Sequence, residues 1–317
     1  MPPATDKSPA LGIFLMAGFC VFGPSIDMFA KLAGETVPLI QITAARFMVQ
    51  LALLLPLALW LKCLHRPRRN EMVQHLMRGA LILLATSFFF AAVQYLPLAD
   101  AISIFFIEPF ILTLLGALFL SEPIGWRRIL ACIIGFGGAL LVIQPQYAQV
   151  GWAALLPIGT AICFALYLIL TRQMNTSHPV TLQIYSSVAA SLYLLPVILF
   201  MQGRNVPETE VIWPDIYQAG LLLGVGASAT IAHMFLTSAF RYASVGLLAP
   251  LQYLEIVTAT LLGVLIFGDV PDSLTFVGIS IIIGAGLYVF FRERKLASQA
   301  GGQKKKQPPS PSTEIET

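Results

Sequence analysis

The sequence predicts an all-α integral membrane protein, with ten transmembrane helices arranged as two inverted five-helix repeats. Three observations predict it. Hydrophobic residues make up 57% and charged residues 11% of the 317, too few charges to give soluble helices their polar stripes. Apolar runs of about 20 residues, the length that crosses a hydrocarbon layer roughly 30 Å thick, recur along the chain. The fourth and fifth runs also align without a gap on the ninth and tenth at a shift of 147 residues.

The ten spans read as 9–29, 38–61, 79–97, 99–120, 127–145, 151–171, 181–202, 216–240, 245–267 and 273–291. None shows the period-2 alternation of a barrel strand, and all are too long for one. The first carries too little positive charge and no small-residue cleavage site for a removable signal peptide, so it is expected to stay, with Asp27 and Lys31 at i, i+4 near its outer end. The second holds Arg46. The third contains Phe88-Phe89-Phe90, and the fourth holds Phe105-Phe106 and then Glu108-Pro109. The fifth is rich in glycine from Gly135 to Gly138 and joins the sixth through Gln144-Pro145-Gln146. From Ile129 through Gln173 the sole Lys, Arg, Asp or Glu is Arg172, and from Gln173 to Gly203, across the seventh, there is none. The eighth places Thr230, His233 and Thr237 on one face. The ninth does the same with Gln252, Glu255 and Thr258, and the tenth holds Gly284-x-Gly286. Together with Gly220-xxx-Gly224 and Gly137-Gly138, these glycines offer close helix contacts.

With the N-terminus inside, sixteen Lys and Arg, among them Lys62, Arg66, Arg78, Arg172 and Arg241, fall on the inner side, against Lys31 and Arg204 outside. That asymmetry orients the chain with both termini cytoplasmic. The net charge of +3 is therefore a topology signal, and no nucleic-acid partner is implied. Residues 1–8 form a short cytoplasmic N-terminus, and the Lys, Gln, Pro and Ser-rich 296–317 reads as a disordered cytoplasmic tail. Cys20, Cys63, Cys132 and Cys163 lack CxxC spacing, so packing is expected of them, not a metal or disulfide framework.

The repeat places Tyr95 on Tyr242, Glu108 on Glu255, Thr113-Leu114-Leu115-Gly116 on Thr260-Leu261-Leu262-Gly263, Glu122 on Asp269 and Gly137 on Gly284. A weaker echo at a shift of 142 sets Gln41-Ile42 on Gln183-Ile184. The halves are 9–145 and 151–293. Because each half has an odd number of spans, the two lie in opposite orientations, and rocking of one against the other can open a shared central site to either side in turn.

A charge near the bilayer centre costs roughly 2.5–3.5 kcal/mol on insertion scales, so such residues face the bundle interior. Glu255 is the foremost candidate for substrate binding or coupling, with Glu108 as its counterpart. Pro109 and Pro250 free carbonyls close to both. The alternative is that each glutamate is merely hydrogen-bonded between helices. Two readings are open for Arg46: an ion pair with Glu108 or Glu255, or a contact to an anionic substrate group. Asp27 reads either as the partner of Lys31 or as an outer gate, and His233 either as a proton relay or as a satisfied core histidine.

The Leu120-Ser121-Glu122-Pro123 stretch before the Gly135–Gly138 helix, within this ten-helix plan, resembles the EamA-type carriers of the drug/metabolite transporter superfamily. The run Leu248-Ala249-Pro250-Leu251-Gln252-Tyr253-Leu254-Glu255, with Ser25 to Lys31 in the first helix, is most similar to bacterial riboflavin and S-adenosylmethionine uptake carriers. The resemblance implies a multi-pass carrier in the bacterial inner membrane, with a cavity lined by helices one, three, four, six, eight and nine. Gln252, Tyr253 and Glu255 would then be contacts for a flat substrate such as riboflavin. Its partners would be a small-molecule substrate, membrane lipid and a coupling proton or other cation, in a monomer or homodimer. S-adenosylmethionine uptake and amino-acid or metabolite export are the alternatives. The sequence has no HExxH, GxSxG or P-loop, so neither an enzyme nor an ATP-driven pump is expected, and no cofactor.

Overall fold

The computed structural model describes residues 8–96, 98–121, 126–143, 151–204, 206, 209–267, 273–285, 287–288 and 291. The Glu122–Asp269 match, Pro123, the Gln144-Pro145-Gln146 joint, most of the N-terminal segment 1–8 and the tail 296–317 lie outside them. The regular elements among the described residues are all helical. Seven helices are long and apolar enough to cross a membrane, and Glu108–Leu120, Ile129–Leu141 and Ser273–Ala285 are shorter apolar helices.

Helix α1 (Pro9–Gly34) opens on Pro9, where the missing N–H costs nothing. Helix α2 (Leu39–Leu61) ends on Lys62 in the left-handed region, at φ 50°. Helix α3 (Arg69–Tyr95) starts ten residues ahead of the expected 79, because Glu71 accepts from the Arg68 backbone N–H at 2.9 Å and caps the polar first turns. It ends with Leu96 extended, as the Pro97 that follows requires.

The expected fourth span is broken in two, α4 (Leu98–Phe105) and α5 (Glu108–Leu120). Pro109 has no N–H to give the carbonyl four residues back, and its ring crowds it, so the helix interrupts at Phe106–Ile107. Helices α6 (Trp126–Ile143), α7 (Leu155–Gln173), α8 (Pro179–Met201) and α9 (Ile216–Tyr242) follow. The expected ninth span is also irregular. Helix α10 (Val245–Leu248) tightens into a 3-10 segment at Ala249–Leu254 around Pro250, resumes as α11 (Glu255–Leu262) and widens to a π-turn at Gly263–Phe267. Helix α12 (Ser273–Ala285) is the last described.

Helix α1 lies along α9 and α3 along α7, while α2 packs on α8 and α9, α8 on α3, α5 on α7 and α11 on α1. The core between them includes Phe19, Leu112, Phe164, Leu168, Leu236 and Phe240. Apolar side chains such as Trp60, Leu118 and Leu199 point outward and are exposed, the arrangement a lipid solvent permits. Small residues let backbones approach where Gly12 meets Ala243, Gly79 meets Ala189 and Gly226 meets Val49. Of the glycines singled out from sequence, Gly224 packs on Phe29 and Gly138 on Ile282, but a Cβ at Gly137, Gly220 or Gly284 would touch nothing. Those three face open space, because glycine spacing does not say which side of a helix is covered.

Three arginines read as inner-loop charges belong to the bundle. Arg78 is wholly buried, Arg172 donates to the Phe240 carbonyl at 2.7 Å, and Arg241 donates to the Asn175 carbonyl at 3.2 Å. A guanidinium at a helix end can reach inward along its own stem to carbonyls, so a positive charge next to an apolar run need not lie in a loop.

Candidate functional site

A cavity with about 890 Å³ of empty space, its open mouth included, lies among the helices. Helices α1, α3, α4, α7, α9 and α11 line it, as the resemblance implies for helices one, three, four, six, eight and nine, and Arg46 adds α2. Asp27, Arg46, His233 and Glu255 all reach it. Glu108, Gln252 and Tyr253 do not.

Six phenylalanines line the wall: Phe19 from α1, Phe89 and Phe90 from α3, Phe105 from α4, Phe106 from the break that follows it, and Phe164 from α7. Phe105 packs edge-on against Phe89 and at a tilt against Phe164, with centroids 6.0 and 5.9 Å apart. The pleated aromatic surface this makes suits a flat ring. Sequence spacing could not pick these six out of 21 phenylalanines, because a bilayer helix is apolar all round.

Charge sits at defined points on this wall. Arg46 donates to Thr86 Oγ1 and places Nη2 2.7 Å from His233 Nε2. Neither glutamate is its hydrogen-bond partner. A guanidinium has only donors, so His233 Nε2 must accept, and the proton of the neutral imidazole then lies on Nδ1. That nitrogen faces the Tyr167 hydroxyl at 3.4 Å. The network continues inward: Arg78 Nη2 donates to Tyr167 Oη at 3.0 Å, and Gln183 Nε2 to the same oxygen at 3.2 Å. Gln50 donates to Gln183 Oε1 at 2.9 Å, and Gln183 also reaches Thr237. Arg78 also donates to Thr171, Ser186 and the Leu182 carbonyl. His233 is thus hydrogen-bonded within a network and also lines the cavity. Tyr167, Gln183 and Arg78 were not assigned to a site from sequence, although polar groups in apolar helices are the signal that finds them.

The carboxylates divide. Asp27 and Glu255 line the cavity half-buried, and among the described residues neither side chain accepts a hydrogen bond. Asp27 lies within electrostatic reach of Arg46, while Lys31 is exposed on α1. Glu255 abuts Gly23, where a Cβ would fall 2.5 Å from Oε1, so the glycine is what lets the carboxylate sit against α1. Glu108 is sealed away at 1% exposure beside the equally buried Gln252. Tyr253 is fully buried and donates to the Phe106 carbonyl at 3.1 Å. It satisfies a carbonyl at the α4–α5 break and is not among the residues that line the cavity. Cys20 Sγ similarly meets the Leu251 carbonyl at 3.4 Å in the 3-10 segment.

The model of the EamA-like transporter family matches residues 10–144 and 151–291. An S-adenosylmethionine uptake transporter of Rickettsia bellii is 24% identical over 92% of this chain and 97% of that protein. A riboflavin transporter of Rhizobium johnstonii is 28% identical over 70% of this chain and 71% of its own. The pseudopaline exporter CntI of Pseudomonas aeruginosa is 31% identical over 66% of this chain and 72% of its own. One crystal structure superposes with a TM-score of 0.74 at 19% identity, covering 90% of this chain and 98% of that one, a likeness of fold.

Proposed function

Because the chain belongs to the EamA-like transporter family, we propose that this multi-pass membrane protein is a secondary carrier of the bacterial inner membrane, with both termini cytoplasmic, importing a small charged metabolite that carries a flat ring. The observation that carries this reading is the meeting of Arg46, Asp27 and Glu255 in one phenylalanine-walled cavity. Of the substrates named for its relatives, S-adenosylmethionine matches that chemistry best. Its carboxylate suits Arg46, its ammonium and sulfonium suit Asp27 and Glu255, and its adenine suits the aromatic wall. Riboflavin is the second reading, favoured by the number of phenylalanines, but it gives the two carboxylates no cation to bind.

Alternating access between two inverted halves of five helices supplies the mechanism. The packing supports it: exchanging each first-half helix for its counterpart turns α1 on α9 into α7 on α3, α2 on α9 into α8 on α3, and α5 on α7 into α11 on α1, and every one of these pairs is in contact. Phe106 and Tyr253, 147 residues apart, touch each other, as two equivalent residues can do only beside the axis that relates them. The irregular backbone at Phe106–Ile107 and Ala249–Leu254 lies next to that axis, where a hinge would act.

Uptake of labelled S-adenosylmethionine into proteoliposomes, with riboflavin as competitor, tests the assignment. Saturable uptake, lost in Glu255→Gln although the variant reaches the membrane, is the expected result. Normal flux in that variant would remove Glu255 from the site. Uptake of riboflavin alone would hand the assignment to the second reading.

A further inference from the structure

Two glutamates related by the 147-residue shift occupy different surroundings, and the difference assigns them different work. Glu255 opens on the cavity, while Glu108, at the first turn of α5, does not reach it. Phe106 lies on the cavity wall and packs on Tyr253 with centroids 5.7 Å apart, in a buried cluster with Cys132 and Ile256. Glu108 Oε1 and Gln252 Nε2 are both buried without a hydrogen-bond partner, although Gln252 is the side chain that faces the carboxyl. The other titratable groups that share its field are Glu255 from α11, Cys132 from α6 and Tyr253 from the 3-10 segment. No arginine, lysine or histidine acts on it among the described residues. Two of these neighbours are themselves held: Cys132 lies 3.8 Å from Thr113 Oγ1, and Tyr253 is committed to the Phe106 carbonyl.

A bare carboxylate sealed in such a place, with no cation and one oxygen unbonded, costs several kcal/mol. The same carboxyl carrying a proton sits there as a neutral group. The carbonyl oxygen of that neutral carboxyl can still accept from the Gln252 amide that faces it. Among the described residues no group of three or more His, Cys, Asp or Glu gathers here to hold a metal ion. From this juxtaposition, and resting on the carrier reading above, we propose that Glu108 and Gln252 form a proton-binding site separate from the substrate cavity, whose loading and release are coupled to transport. The coupling has two physical routes. Glu108 lies within electrostatic reach of Glu255, so its charge biases cation binding at the cavity. It also stands at the α4–α5 break, where movement of the halves would admit water to the carboxyl.

The test compares wild-type protein with Glu108→Gln and Gln252→Met in proteoliposomes and by infrared spectroscopy of the purified protein. In the wild type, an imposed pH gradient should change steady-state accumulation of S-adenosylmethionine, its sign telling symport from antiport. A protonated-carboxyl stretching band should be present and titrate. Glu108→Gln should lose that band and the response to the gradient, while keeping substrate counterflow within about twofold of wild type. Gln252→Met should keep the band and shift its titration. An unchanged band in Glu108→Gln, or a full response to the gradient, overturns the proposal. Absence of S-adenosylmethionine counterflow in the wild type overturns the substrate reading instead, and the infrared arm then decides the proton site by itself.

Discussion

The sharpest test of the cavity is Gly23→Ala, a single methyl group on the helix facing Glu255. A Cβ at this position would lie 2.5 Å from Glu255 Oε1 and 3.3 Å from Cδ, so the carboxylate must move by about 1 Å to restore ordinary van der Waals contact. The moving atoms end a flexible side chain, which makes the adjustment cheap for the fold. Removing a helical glycine also favours the folded state by roughly 0.5–1 kcal/mol. For substrate the same movement is expensive, because a hydrogen bond to a charged group contributes about 1.5–3 kcal/mol and weakens steeply when misplaced. At about 1.4 kcal/mol per factor of ten, affinity for a cationic substrate should fall by roughly 10- to 100-fold. The assay is equilibrium binding of labelled S-adenosylmethionine to detergent-solubilised protein, with the thermal midpoint measured in parallel. Binding should weaken while the midpoint holds or rises. Combined with Glu255→Gln the losses should not add, since both act on one interaction. Unchanged affinity in Gly23→Ala, or full additivity in the double variant, would refute the idea that this carboxylate contacts substrate.

Two further outcomes separate stabilising residues from transporting ones. Tyr253→Phe removes the hydroxyl that satisfies the Phe106 carbonyl and should cost about 1–3 kcal/mol of stability, read as a lower thermal midpoint with substrate affinity nearly unchanged; a large loss of affinity would return Tyr253 to the binding site. Arg78→Met removes the hydrogen bonds of a wholly buried guanidinium to Tyr167, Thr171, Ser186 and the Leu182 carbonyl and should cost roughly 3 kcal/mol or more, visible as poor recovery of monodisperse protein, whereas normal stability would show that water reaches this pocket.

The helical bilayer class was legible without coordinates because it depends on composition and run length, which survive any arrangement of the helices. So was the pairing of Glu108 with Glu255, since an unlike residue repeated in an apolar background stands out. Pro109 and Pro250 likewise announced that both carboxylates sit near irregular backbone, and both breaks are present. What each charged group does was not legible. Arg46 read equally as the partner of a glutamate or as a substrate contact, and its hydrogen bonds go to Thr86 and His233. Arg78 was taken for a loop charge and is buried among α3, α7 and α8. Tyr253 was placed at the cavity and instead braces a broken helix. The reason is that helices apolar on every side give no periodic signal of which face turns inward. Only the packing of α1 against α9 and α11 decided that Glu255 looks into the cavity, and only the burial of Glu108 beside Gln252 decided that its counterpart does not.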